Sequence, residues 1–501
     1  MRKSKPRKKT STDRQAHGGS RRGPIVTPAR KILAWVTLLG TAFALRIWLA
    51  VASPNIFFPD ENFQTLEPAH RLVFGYGVIP WEWRLGIRSW VLSAFLAGVM
   101  RITAWMGPGS AGYLLGITIV LSLISLTTIW FGYAWAKRAS GTPAAVVAAL
   151  ACSFYFGLVY FAPKALNEVV AAHVMLPGLY LGVYGEKLGE RRRLFVAGLF
   201  CGLAACLRIQ LLPALAFALV YFCYPRWRER VPAVVAGVSA PVLLFGVVDW
   251  ITWSYPWESF IRDYEANLVQ GPGKEFSLIQ PWYWYLLVIV VLIGPAILFL
   301  SHGAKRSPFL AIFCVIVIVS HSVIPHKEVR YIYPILAPAL TLAAMGVVDM
   351  LGEVTRGVRF LNNRRSIVAI GVSCLLLSSA MLAAKCADWD KTSWGVGAFD
   401  RLSHDAGLCG VGIYDQIWWE SGGYTHLHRN VPIVQLESAA ELARDAPSFN
   451  ALIAPLHTAG VPAEFSQLQC WRGACLLERR GTCVAPPPGE RLNAYLKRVG
   501  R

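Results

Sequence analysis

Residues 321–338, HSVIPHKEVRYIYPILAP, decide how the rest of the chain is read. The apolar run FLAIFCVIVIV leads into them, and YIYPILAPALTLAAMGVV leads out. Between the runs stand His326, Lys327, Glu328 and Arg330, four titratable residues within five positions. If both runs cross a bilayer, the four lie in a tight turn at its surface, where charge is costly unless it pairs or lines a cavity. Such a turn needs a chemical reason.

The rest of the chain supports the membrane reading. Of 501 residues, 55% are hydrophobic and 16% are charged, against about 25% charged in soluble domains. Apolar runs of roughly 18 residues read as spans. They fall near 31–52, 111–136, 143–162, 165–184, 209–224, 231–251, 282–300, 308–324, 331–351 and 366–386, and a shorter run near 194–206 is read as another. The expected architecture is an all-α polytopic membrane protein with about eleven transmembrane helices, followed by a soluble α/β domain. The first run follows a basic tail over 1–30 and has no A-x-A site after it, so it reads as an uncleaved anchor.

The net charge of +20 is no nucleic-acid signal. It gathers in the tail and in short loops such as EKLGERRR and PRWRER, and short Lys/Arg-rich loops mark the cytoplasmic side. With those loops inside, 53–110, 163–165, 206–209, 252–281, 325–330 and everything after 386 fall outside. The scheme requires 89–105, which carries Arg101, to lie on the outer face as an amphipathic helix. After 386 short apolar strands alternate with helix-like stretches, giving an extracytoplasmic α/β domain over 387–501. Its Cys409, Cys470, Cys475 and Cys483 allow three disulfide connectivities or four free thiols.

The residues able to do chemistry collect outside. Asp60 and Glu61 follow the first span in FPDENFQTLEPAH. A carboxylate there can take a proton from an attacking hydroxyl, or Asp60 can cap a helix running from Glu61 to His70, with Phe63, Leu66 and Leu72 toward lipid. In WEWRLGIRS, Trp81, Glu82, Trp83, Arg84 and Arg88 suit either an interfacial anchor or a sugar platform. Lys164, Asn167 and Glu168 head a span, and Arg208 lies between two. IQPWYWYL, with Trp282, adds an aromatic collar. His326, Lys327 and Arg330 offer the fork and point charge that a phosphate takes. Carboxylates, cations and aromatics at one membrane-level site suit a lipid-linked phosphate. A transporter would need polar groups near the midplane, and the central runs are nearly free of charge, with Arg46 and Asp249 as exceptions nearer the ends.

FPDENFQTLEPAHRLVFGYGVIPWEWRLGIRS resembles the first luminal loop of the family-22 glycosyltransferases, which runs H-P-D-E-x-F-Q-x-x-E, then Y-G, W-E-W and R-S. PHKEVRYIYPILAP resembles that family's H-K-E-x-R signature, and NLVQGPGKEFSLIQPWYWYL its third outer motif. These are mannosyltransferases of GPI-anchor and N-glycan precursor assembly, with bacterial relatives. The resemblance implies a GT-C fold, a polyprenyl- or dolichyl-phosphate mannose donor, a glycan or glycolipid acceptor, and an inverting transfer on the extracytoplasmic face.

Carried over, it makes Asp60 the base, with Glu61 beside it. It gives the donor phosphate to His326, Lys327 and Arg330, with Glu328 orienting Lys327 or Arg330; the outer-face cations Arg208 and Lys164 are assigned to that phosphate beside them. It leaves Gln64, Trp81, Glu82, Trp83, Arg88 and Trp282 to sugar and acceptor. Phe58 and Asn62 stand where many members have histidine, and SLIQ replaces the usual Y-G before P-W. No metal or other cofactor is expected, the lipid-phosphate sugar being a co-substrate. Absence of an outer N-x-S/T sequon points to a bacterial inner membrane over the endoplasmic reticulum. A GT-C enzyme using another sugar, a flippase of lipid-linked glycans, and a pseudoenzyme acting as a sensor are the other readings.

Overall fold

The computed structural model describes residues 27–266, 279–354, 363–385, 392–484 and 491–499. Nearly all of the basic tail, and NLVQGPGKEFSL of the third motif, lie outside these residues. Each apolar run read as a span is helical. Among the described residues six helices are long and apolar enough to cross a membrane: Pro28–Ala52, Ala111–Ser140, Trp227–Thr252, Trp284–Arg306, Val329–Val354 and Arg364–Lys385. Thr142–Phe154, Ile209–Cys223 and Pro308–Val323 are apolar but shorter. Asn167–Tyr184 and Glu190–Leu207 complete the bundle.

Two devices let such helices pack. The first is close approach at glycine. A Cβ on Gly346 would lie 1.9 Å from the carbonyl oxygen of Phe299, and one on Gly303 would lie 2.0 Å from that of Leu342. Small residues bring backbones together where hydrophobicity alone cannot drive association. The second is internal pairing of the charges noted within the runs. Arg46 is fully buried and donates to Ser125 Oγ at 3.0 Å and to the carbonyls of Ala42, Ser153 and Cys152 at 2.8–3.1 Å. Asp249 accepts from the backbone and hydroxyl of Ser259. Neither charge is left to hydrocarbon.

The two ends of the bundle differ. At one end, short-loop cations pair locally: Arg138 with Glu186 at 2.8 Å, Arg230 with Glu190 at 2.8 Å, and Arg306 with Asp349 at 2.5 Å. At the other end, the 53–110 loop, the 163–168 turn, Arg208 and the 325–330 turn converge. The segment read as a surface helix is helical over Trp90–Thr103. It buries Leu92, Leu96 and Met100 against Tyr113 and Ile117 and exposes Phe95 and Ile102. Phe63 and Leu66, expected toward lipid, are instead buried in protein, and Leu72 alone of the three is exposed. Phe63 meets Trp418 with ring centroids 4.8 Å apart.

That contact joins the loop to the C-terminal domain. The domain holds β1 (Val411–Tyr414), β2 (Ile433–Leu436), β3 (Ala451–Ala454), β4 (Ser466–Cys470) and β5 (Cys475–Glu478). Their order is β2-β1-β3-β5-β4, parallel across the first three and antiparallel across the rest. Of the three connectivities open to its cysteines, the structure has Cys409–Cys483 and Cys470–Cys475.

Glu67 fastens this domain to the loop. Its fully buried carboxylate accepts from the backbone N–H of Val78 at 2.7 Å, of Tyr424 at 3.0 Å and of Thr425 at 2.8 Å, and from the Thr425 hydroxyl at 2.6 Å. Asn493 adds a two-way clasp, accepting from Ile79 N–H at 2.7 Å and donating to Gly77 O at 3.0 Å. Glu67→Leu strands three buried N–H groups and is expected to cost about 3 kcal/mol or more, whereas Glu67→Gln keeps part of the set and costs less. Thermal unfolding of the purified proteins should rank wild type above Glu67→Gln, and Glu67→Gln above Glu67→Leu.

Candidate active site

The charged turn of the opening stretch is folded back on itself. Glu328 is extended, and Val329–Ile335 begins as a 3₁₀ helix, with Pro334 inside it. His326 pairs with Ile279 in a lone antiparallel bridge. Lys327 is buried and donates to Gln280 O at 3.0 Å and to Ile324 O at 2.6 Å. It pins neighbouring backbone. Glu328 accepts from His326 at 3.1 Å, from the Tyr331 hydroxyl at 2.9 Å, and from Arg330 through a fork at 2.8 and 3.0 Å. These donors hold its carboxyl well below the usual carboxylate range, the Arg330 guanidinium foremost among them against the cost of burial.

Arg330 is the hub. Besides the fork to Glu328, it ion-pairs with Asp60 and lies 3.8 Å from Glu168. Its guanidinium also sits 5.0 Å from the ring centre of Phe58 and 5.3 Å from that of Tyr331. Phe58 thus closes one side of the hub with an aromatic face. Glu168, in the first turn of its helix, where a carboxylate is favoured, also binds Arg208 at 3.1 Å. Arg208 lies over Tyr331, 4.4 Å from its centroid. Loop, turn and signature thus meet in one network of alternating charge.

Asp60 and Glu61 part company here. Asp60 shows no side-chain capping bond; its carboxylate takes Arg330 and the Gln64 side-chain amide. Glu61 opens a π-helix, Glu61–Leu66, and faces Lys164 at 3.1 Å. The expected neighbours therefore serve different spaces, and Lys164 belongs with Glu61. Gln64 also donates to Glu82 at 3.2 Å. Burial raises the Asp60 carboxyl above the ordinary range, with Arg330 opposing it, and burial likewise raises Glu82.

The aromatic residues divide. Trp83 is buried, donates to Gln64 O at 3.2 Å and packs on Trp90 at 4.4 Å, so it supports the site from behind. Trp81 is half-buried at the head of the short helix Trp81–Arg84. Trp282 is 69% exposed, with Tyr283 as its aromatic neighbour.

Beside the hub lies a small polar cavity of about 60 Å³, lined by Gln64, Arg88, Asn167, Arg208, Gln210 and Asp263 among others. The Nε atoms of both Arg88 and Arg208 are buried and without a hydrogen-bond partner. Two orphaned guanidinium donors on one cavity suit an anion. Sequence reasoning did not single out Gln210 or Asp263; each is a lone polar residue without a repeating pattern. Among the described residues no three His, Cys, Asp or Glu side chains converge as a metal site would require.

The profile of the Alg9-like mannosyltransferase family matches residues 37–387, which span the first loop, the hub and both orphaned arginines. The chain belongs to this family. Relatives of the family include GPI alpha-1,2-mannosyltransferase 3 of Xenopus laevis, 24% identical over 60% of this chain and 57% of its own length. GPI mannosyltransferase 3 of Drosophila melanogaster is 28% identical over 61% and 54%. The match thus spans little more than half of these relatives. ArnT from Cupriavidus metallidurans, solved bound to undecaprenyl phosphate, superposes with a TM-score of 0.61 at 12% identity, covering 91% of this chain and 99% of that one. The family member has the GT-C fold expected of it.

Because burial lifts Asp60 and Arg330 holds it down, the carboxyl should titrate above the ordinary value of about 3.9, and Arg330→Gln should move it higher. Difference infrared titration of wild type and Arg330→Gln, each against its own Asp60→Asn counterpart, measures both. A carboxyl band that moves down in Arg330→Gln would contradict the pairing.

Proposed function

We propose that this protein transfers mannose, with inversion, from a polyprenyl- or dolichyl-phosphate mannose to a hydroxyl of a glycan or glycolipid at the extracytoplasmic membrane face. The observation that carries the reading is the placement of Asp60. One carboxylate, half-buried and oriented by Arg330 and Gln64, stands near a cavity whose two arginines keep unused donors. A base and an anion site side by side are what direct displacement on a glycosyl phosphate needs.

In this reading Asp60 takes the proton of the acceptor hydroxyl as its oxygen bonds to the sugar's anomeric carbon. The bond from that carbon to the phosphate oxygen breaks, and the lipid phosphate leaves with one more negative charge. Arg88 and Arg208 face that growing charge, and donors aimed where charge develops contribute most to such steps. Arg88 was expected on the acceptor side; its cavity favours the phosphate. Lys327, Arg330 and Glu328 act through position: the first fixes the 279–280 backbone, and the others hold Asp60. Gln64 and Glu82 border the space for sugar.

The end of the bundle bearing this site is assigned outside because the opposite end carries the short basic loops. A bacterial inner membrane is the proposed location. The donor and membrane lipids are the partners; nucleic acid has no part in the scheme.

The test is transfer from radiolabelled polyprenyl-phosphate mannose to total membrane lipids and glycans. Wild type should give labelled product and Asp60→Asn none. Arg88→Ala and Arg208→Ala should each lower transfer by about 10²–10³-fold, as loss of one charge-stabilising donor does elsewhere. No product from wild type beside an active control enzyme would overturn the mannosyl donor. Full activity in Asp60→Asn would overturn the base.

A further inference from the structure

At the end of the bundle away from Asp60, four helix ends surround an open cavity of about 680 Å³. They belong to Asn167–Tyr184, Glu190–Leu207, Leu212–Cys223 and Trp227–Thr252. Pockets for small molecules run from about 300 to 1,000 Å³, so the space is ligand-sized. Tyr221 and Tyr224 line it, and both are exposed, as is nearby Trp227. Tyrosine and tryptophan gather at the level of lipid head groups. The cavity opens at the boundary between bilayer and water.

Its walls hold more cation than their own carboxylates need. Arg193, Arg226 and Arg230 line the cavity together with Glu186 and Glu190. Glu186 is taken by Arg138 at 2.8 Å. One oxygen of Glu190 holds both Arg226 and Arg230, the latter at 2.8 Å. Arg226 also reaches Glu229 at 3.3 Å, and Arg230 donates to the carbonyls of Phe222 at 3.2 Å and Tyr224 at 2.7 Å. Each carboxylate of the cavity thus has its cation. Arg193, half-buried, spends itself on two carbonyls instead, Gly182 O at 3.3 Å and Val183 O at 3.5 Å. Arg226 and Arg230 repel it, and Glu186 and Glu190 offset part of that repulsion. Guanidinium groups turned on one space are how proteins grip phosphate.

We infer that this cavity binds the phosphate of an anionic glycerophospholipid, held by Arg193 and Arg230 with Arg226 at the rim, its acyl chains running down the outer face of Leu212–Cys223. Basic pockets between spanning helices take such head groups. Glu186 and Glu190 do not exclude the phosphate, since arginine already covers each. A choline or ethanolamine head would add a cation where exposed Lys187, Arg191, Arg192 and Arg228 already crowd the surface. A soluble phosphate would meet the same arginines but gain nothing from Val220 and Tyr221, both exposed in the last turn of their helix. The site is separate from Asp60 and stands whatever Asp60 transfers.

The test uses the full chain in phosphatidylcholine nanodiscs carrying a trace of photoreactive lipid, with one diazirine-bearing acyl chain on either a phosphatidylglycerol or a phosphatidylcholine head. The phosphatidylglycerol probe should label the peptide containing Val220 and Tyr221 in clear preference to the phosphatidylcholine probe, and unlabelled phosphatidylglycerol should suppress that labelling. Arg193→Gln should weaken it about fivefold, the worth of one cation at a lipid head group. Arg191→Gln, an equal loss of charge at an exposed position of the same helix, should leave it unchanged. Equal labelling by the two heads, no labelling of that peptide, or an equal loss in both variants would overturn the site. Suppression by inorganic phosphate as strong as by phosphatidylglycerol would overturn the lipid as the source of the phosphate. The comparison of head groups is made on wild type, so a misfolded Arg193→Gln would leave it decisive.

Discussion

Everything at the candidate site hangs on one guanidinium. Arg330 is buried and faces three carboxylates, Asp60, Glu168 and Glu328, drawn from three segments far apart in sequence. A buried cation cannot be left alone, and carboxylates withdrawn from water cannot be left together; each makes the other tolerable in this arrangement. Arg208 shares Glu168, which spreads the balance across a fourth segment. The pairing therefore fixes where the first loop sits relative to the helices, and with it the direction of Asp60. A lysine would supply the charge without the planar fork that grips Glu328 through two nitrogens.

Much of this was legible in the sequence. The apolar runs gave the helices with small errors at their ends, because hydrocarbon leaves a spanning backbone little choice but to hydrogen-bond within itself. That 90–103 is helical followed from its apolar run. The convergence of the loops followed from sidedness, since alternate connections must share a face. That Asp60 and Arg330 lie at the same end of the bundle followed from the same count.

What was not legible is where side chains point within a few residues. Asp60 and Glu61 are adjacent, yet the π-helical turn sends one to the hub and the other to a separate cavity. Lys327 reads as a phosphate ligand and is spent on two carbonyls, and Trp83 reads as a sugar platform and is packed behind Gln64. These outcomes depend on which groups the fold brings alongside, Arg330 for Asp60, Lys164 for Glu61 and Gln280 for Lys327, which no local pattern encodes. Glu67 is the sharpest case: beside Asp60 in the motif, it serves the assembly of two domains, and its partners Tyr424 and Thr425 lie 357 and 358 residues downstream.

That separation has a consequence for how the protein is made. A ribosome adds about 5–20 residues each second, so the first loop leaves the membrane on the order of tens of seconds before the strand–helix unit that seats Glu67 exists. The Asn493 clasp is later still. Until then a carboxylate destined for burial lacks its partners, and the floor of the first loop is unfinished. The first loop is thus seated only after Tyr424 and Thr425 have been made. Chains cut short before Tyr424 would carry every membrane helix and leave the Glu67 carboxylate without three of its four donors, so that their first loop would lack its seat.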